Sequence, residues 1–273
     1  MINSILSFGY SAFGALLYTC GNYQGAIDNY NLAIQLNSQD DTAYLIRGMA
    51  RIVTSDYSGA IEDLSQAIQI DPLNAQAYGE RGVARAALGE NQAAIDDCNY
   101  AIQLNPDYLR AYYGRGAARA YTGDYPGALQ DFTHLSRLQP DANSYYNLAT
   151  LQAWQGVNAQ AIKNLTKVVD LNPNWFFAYY IRGNVCYNVG DEQGANEDFK
   201  EAMRIEATGA SEMFAEDEHA FWGRGLARHR LGNREGAIAD LQKAAEIALK
   251  HKNTAFHQMV MDLMREINPE QSS

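Results

Sequence analysis

The sequence predicts an all-α solenoid of seven helical hairpins followed by one further helix. Three observations carry that prediction. A marker segment recurs at a near-constant step, small residues occupy two fixed places in every step, and apolar residues are spaced for helices rather than strands.

The marker is a Gly with an Asp or Asn and an aromatic residue, followed by Ala with Ile or Leu. It stands at Gly21-Asn22-Tyr23 with Ala26-Ile27, at Asp56-Tyr57 with Ala60-Ile61, and at Gly89 with Ala94-Ile95. It returns at Gly123-Asp124-Tyr125 with Ala128-Leu129, at Gly156 with Ala161-Ile162, at Gly190-Asp191 with Ala195, and at Gly232-Asn233 with Ala237-Ile238. The steps are 34, 34, 34, 33, 34 and 42 residues. The repeats are therefore 7–40, 41–74, 75–108, 109–141, 142–175, 176–209 and 218–251, with an insertion at 210–217.

Position 8 of each repeat reads Gly14, Gly48, Gly82, Gly116, Ala149, Gly183 and Gly225, and position 20 is always Ala, from Ala26 to Ala237. Small residues facing one another let two helices approach closely. In the first helix, positions 4, 7, 8 and 11 (Tyr44, Arg47, Gly48, Arg51) share a face. In the second, positions 20, 24, 27 and 28 (Ala60, Leu64, Ala67, Ile68) do the same. Gly at position 15 suits the left-handed C-cap that ends the first helix. Pro72, Pro106, Pro140 and Pro173 close the second. Thr254 to Ile267 reads as a last amphipathic helix, with Phe256, Val260, Leu263 and Met264 on one side. It is expected to cap the terminal repeat's apolar face, residues 254–267.

This pattern resembles the tetratricopeptide repeat family, and the resemblance covers nearly the whole chain. It implies one right-handed superhelix over residues 1–273, with first helices lining a concave surface that holds an extended peptide. The style of the repeats is similar to that of bacterial, notably cyanobacterial, solenoids. One departure is systematic. The family carries Leu at position 7, whereas five repeats here carry Arg47, Arg81, Arg115, Arg182 and Arg224. The same five carry Asp63, Asp97, Asp131, Asp198 and Asp240 at position 23, and the exceptions Phe13 and Leu148 are matched by Asn29 and Asn164. A buried guanidinium without its carboxylate costs roughly 3–5 kcal/mol, so the two should travel together as structural ion pairs, within a repeat or between neighbours. The competing reading is that these arginines line a site for acidic ligands. Arg51, Arg85, Arg119 and Arg228 at position 11 have no such evident partner.

On a helical wheel, positions 2, 5, 6, 9, 12 and 13 of the first helix lie opposite its packing stripe. Repeats 2 and 3 place aliphatic or small residues there: Leu45, Ile46, Met49, Ile52, Val83 and Ala86. Repeats 4 to 7 place Tyr113, Tyr121, Tyr146, Trp154, Phe177, Tyr180, Tyr187 and Trp222, with Asn143, Asn147, Asn184 and Asn188 among them. Rigid rings beside amides suit an extended peptide, because an Asn side chain pairs with both the donor and the acceptor of a peptide bond. Packing of these rings between adjacent repeats is the alternative. The family's carboxylate clamp does not carry over, since no groove position holds Lys.

The net charge of −11 disfavours a nucleic-acid partner, which needs concentrated Lys and Arg. No apolar run is long enough to cross a membrane, and no basic start marks a secretory signal. Cys20, Cys98 and Cys186 lack zinc or disulfide spacing, which points to a reducing, cytoplasmic setting. No phosphate loop, nucleophile elbow or metal-binding His pair is present, so neither catalysis nor a metal or other cofactor is expected. Two readings remain: an adaptor holding a partner protein's peptide, and a self-associating scaffold.

Overall fold

A computed structural model describes residues 2–207, 218–251 and 253–267; the expected insertion at 210–217 lies outside them. The described residues form fifteen helices and no strand. The hairpins are α1 (Ile2–Thr19) with α2 (Tyr23–Leu36), α3 (Asp41–Val53) with α4 (Tyr57–Ile70), α5 (Ala75–Ala87) with α6 (Asn91–Leu104), and α7 (Leu109–Tyr121) with α8 (Tyr125–Leu138). They continue as α9 (Ala142–Trp154) with α10 (Asn158–Leu171), α11 (Phe176–Asn188) with α12 (Glu192–Ala207), and α13 (Glu218–Arg230) with α14 (Arg234–Lys250). The last element is α15 (Thr254–Ile267). The first helix starts at Ile2, ahead of the repeat boundary expected at residue 7.

The chain gathers into two compact units, Met1–Gln139 and Pro140–Ser273. The division falls at the repeat that is one residue short. Each unit has its own apolar clusters. In the N-terminal unit they centre on Ala26, Tyr30 and Ala43, on Leu64, Ala67 and Ala77, and on Cys98, Ala101 and Ala111. In the C-terminal unit they centre on Leu165, Val168 and Ala178, on Tyr180, Phe199 and Ala227, and on Leu241, Ala244 and Val260. Helix α15 lies on α14, with Val260 and Ile267 buried there beside Leu263 and Met264.

Two local devices shape every hairpin. The turn residue at position 15 has positive φ, from 71° to 87°, in Gly21, Gly89, Gly123, Gly156, Gly190 and Gly232. Ser55 takes the same place at φ 62°, a conformation that costs an L-residue roughly 1 kcal/mol more than glycine. The small residue at position 8 makes room for the side chain at position 24. A Cβ added to Gly48 or Gly225 would stand 2.9 Å from Leu64 or Leu241, and one on Gly183 would stand 2.7 Å from Phe199. The close approach thus seats one large side chain per repeat, with the Ala at position 20 alongside.

Candidate functional site

The arginines of position 7 pair within their own repeat. In Arg47–Asp63, Arg81–Asp97, Arg115–Asp131, Arg182–Asp198 and Arg224–Asp240, Nε donates to Oδ2 and Nη2 to Oδ1 at 2.5–3.0 Å. This is the fork geometry in which Arg–carboxylate pairs are strongest. The remaining Nη1 reaches back one repeat and donates to Asn31, Ser65, Asn99 and Thr166 at 2.7–3.1 Å; in the last repeat it meets Glu206. A single guanidinium therefore ties three helices. The position-11 arginines share the same carboxylates: Arg51, Arg85, Arg119 and Arg228 stand 2.7–3.0 Å from Asp63, Asp97, Asp131 and Asp240. Each aspartate is almost wholly buried. The aromatic at position 4 lies 4.8–5.5 Å from the position-7 guanidinium, in Tyr44, Tyr78, Tyr112, Tyr179 and Phe221. Where Asp gives way to Asn, Asn29 donates within its own helix to the Gly25 carbonyl, whereas Asn164 donates across the hairpin to Gln152 at position 11. The arginines are thus committed to the protein itself.

The outer row of first helices differs between the units. In the N-terminal unit Leu45 and Val83 are buried, while Ile46, Met49, Ile52 and Ala86 are half-buried. Glu80, at position 6, is buried and accepts hydrogen bonds from the Tyr108 hydroxyl at 2.6 Å and from Arg110 at 2.8–3.3 Å. Burial and the Glu80 charge push the Tyr108 phenol well above its usual range. Nothing in the repeat pattern points to this cluster, because its members occur in one repeat junction alone. Tyr113 is partly exposed and Tyr121 almost fully so, at 76%.

In the C-terminal unit Trp154 is 72% and Tyr187 49% exposed, at positions 13 and 12 of successive first helices. Asn143 and Asn188 are exposed, and Asn147, Phe177 and Trp222 are half-buried. Tyr146 stacks on Trp175 at 4.9 Å. Tyr180 corrects the wheel: it is only 5% exposed, with its ring against Gly223 and 6.4 Å from that of Phe199. Asn184 donates to the Tyr180 carbonyl at 3.1 Å. Burial lifts the Tyr180 phenol to about 12, against the opposing pull of Asn184 and Arg230. The physical reason is that α11 packs against α9 and α13 as well as α12, so positions 5 and 6 face neighbouring first helices. Trp154 at position 13 of α9 and Tyr187 at position 12 of α11 escape that packing.

Family models match three stretches: a TPR repeat at residues 54–89, and tetratricopeptide repeats at 143–174 and 218–251. The chain is a tetratricopeptide-repeat protein.

Its fold is shared with solved members of that class. A tetratricopeptide repeat protein from Parabacteroides merdae is 17% identical, with a TM-score of 0.68, over 93% of this chain and 98% of that one. PilW, a type IV pilus biogenesis factor, is also 17% identical at a TM-score of 0.68, over 75% of this chain and 95% of its own. MamA from Desulfovibrio magneticus is 23% identical, with a TM-score of 0.56, over 63% and 97%. No curated protein matches in sequence. Tetratricopeptide-repeat proteins generally mediate protein–protein interactions, and their fold is typically a non-enzymatic scaffold. Among the described residues of this tetratricopeptide-repeat protein, no group of three or more His, Cys, Asp or Glu could hold a metal, and no helix is long and apolar enough to cross a membrane.

Proposed function

We propose that this tetratricopeptide-repeat protein is an adaptor whose C-terminal unit holds an extended peptide of a partner protein along its first helices. The observation that carries the reading is the exposure of two rings near the C-terminal ends of successive first helices, Trp154 and Tyr187, with the exposed amide of Asn188 next to Tyr187 in the chain and that of Asn143 at the start of α9. Exposed aromatic area bordered by amides is the composition of protein-interaction surfaces, where rigid rings add contact at small entropic cost. The half-buried Phe177 and Trp222 extend the apolar floor, while Tyr180 and Tyr146 support it from behind. Tyr113 and Tyr121 offer a smaller aromatic patch on the N-terminal unit. We infer a reducing, cytoplasmic setting from three cysteines that form no disulfide.

The test is selection of a random-peptide display library on the whole chain. Peptides should be enriched, and Trp154→Ala or Tyr187→Ala should weaken them about tenfold or more with an unchanged melting temperature. Failure to enrich any peptide would overturn the reading.

One observation favours a second reading, self-association. Helix α1 exposes Ile5, Leu6, Phe8, Phe13 and Leu16, and no charged residue precedes Asp28. An uncharged apolar face on a chain of net charge −11 is where copies would meet with least repulsion. Light scattering that shows mass rising with concentration, and a monomer after Phe8→Glu, is the result this reading expects.

A further inference from the structure

Arg230 breaks the rule that the other arginines obey. Ten further arginines lie on first helices: Arg47, Arg51, Arg81, Arg85, Arg110, Arg115, Arg119, Arg182, Arg224 and Arg228. Each lies within 4 Å of a carboxylate. Arg230, at position 13 of α13, has no such partner among the described residues, and its Nη1 is buried without a hydrogen bond. Its guanidinium lies 4.0 Å from the centre of the exposed Tyr187 ring and 5.7 Å from that of Phe199. Stacking of this kind holds the fork in one plane, and the residue as a whole is half-buried rather than sealed from solvent.

The neighbouring polar atoms share the deficit. The Tyr180 hydroxyl and the Trp222 indole nitrogen are also buried without partners. They belong to the same aromatic cluster, with the Tyr180 ring 6.3 Å from Trp222 and 6.4 Å from Phe199. An indole N–H and a guanidinium can only donate, and the phenol can donate. Buried donors without acceptors are few in folded proteins, and of five buried side-chain atoms without a partner among the described residues, three fall in this one cluster, the other two being Arg85 Nε and Asn91 Oδ1. The wall formed by α11 and α13 is rich in donors and poor in acceptors, so what complements it is an acceptor, and beside Arg230 an anion. The net charge of −11 does not oppose this, because charges beyond about 8 Å are largely screened at physiological salt.

We propose that Arg230, stacked on Tyr187, is the anion contact of the C-terminal unit and takes the side-chain carboxylate of an Asp or Glu within the bound peptide. The proposal rests on the peptide-groove reading above and adds the chemistry of the ligand. The position-7 and position-11 arginines build the solenoid, whereas Arg230 is left for the partner.

The experiment uses the whole chain and the peptides enriched from the random library. They should carry Asp or Glu at a recurrent place, and changing that residue to Gln should weaken binding about tenfold or more. That comparison leaves the protein untouched, so folding cannot confuse it. In the protein, Arg230→Gln should remove the acidic preference, and Arg230→Glu should select Lys or Arg at the same place, with melting temperature unchanged in both. Amidating the peptide's C-terminus should change nothing. If peptides bind with no acidic preference and depend on Trp154 alone, the carboxylate assignment falls while the groove reading stands. If amidation abolishes binding, the contact is a chain terminus and the side-chain assignment falls. If no peptide is enriched, both fall together.

Discussion

The two compact units use one repeat plan and finish it differently. In the N-terminal unit, Asp63, Asp97 and Asp131 each form ion pairs with two arginines, and the cation on the outer row, Arg110, is held by Glu80. In the C-terminal unit, Asp198 has Arg182 alone, because Cys186 stands at position 11, and Arg230 has no carboxylate. The outer row changes as well, from aliphatic and small residues in repeats 2 and 3, through the exposed Tyr113 and Tyr121 at the end of the N-terminal unit, to Trp154, Tyr187 and exposed amides in the C-terminal unit. The comparison teaches that pairing separates two roles for the same residue type. An arginine paired with a buried aspartate is part of the scaffold, and the one without a carboxylate beside an exposed ring is the one proposed above to meet a ligand.

The strongest way to break that comparison is at the aspartates. Asp97→Ala leaves the half-buried Arg81 without a carboxylate and Arg85 with Glu90 alone, at 3.7 Å, and should cost about 3–5 kcal/mol in denaturant unfolding. Replacing Arg81, Arg85 and Asp97 together with apolar residues should cost markedly less. Asp198→Ala, which strands one guanidinium, should fall between wild type and Asp97→Ala. Equal losses for both aspartates would show that the second arginine contributes nothing.

A smaller effect should come from Glu218, at the start of α13. Burial by itself raises its carboxyl, but hydrogen bonds with His251 at 2.6 Å and Asn253 at 3.3 Å outweigh it and hold the group below the usual carboxylate value. A folded value below the unfolded one gives stability that is complete above the ordinary carboxylate range and is lost as pH falls through the folded value. Glu218→Gln should therefore cost about 1 kcal/mol at neutral pH, and the gap to wild type should close in acid. A gap that persists at low pH would assign the loss to packing. The smallest change is a gain. Ser55→Gly relieves the one non-glycine residue of positive φ among the described residues, and should raise stability by about 0.5–1 kcal/mol.

Much of this was legible in the residues. The hairpin boundaries follow from Gly at position 15 and Pro after the second helix, which act within a few bonds of where they stand. The Arg–Asp pairs were legible because a repeat restates the same contact five times, and the Asn substitutions restate it by absence. The backward reach of Nη1 left a fainter mark, in the polar residues Asn31, Ser65, Asn99 and Thr166. The sharing of one carboxylate by two arginines was misread, since position 11 appears unpartnered until the carboxylate's second oxygen is placed. Glu80 with Tyr108 and Arg110 occurs once, so periodicity could not find it.

The sequence by itself determined the class, the repeat and the polarity of each hairpin, because those depend on short-range propensity and on a pattern repeated along the chain. Only the tertiary structure decided which first-helix residues are free. Tyr180 and Trp154 read alike on a wheel, yet one is buried against Gly223 and the other is open to solvent. A wheel describes one helix with one buried side, whereas a first helix such as α11 packs against four others, α9, α10, α12 and α13, and the residues left over are set by all of them.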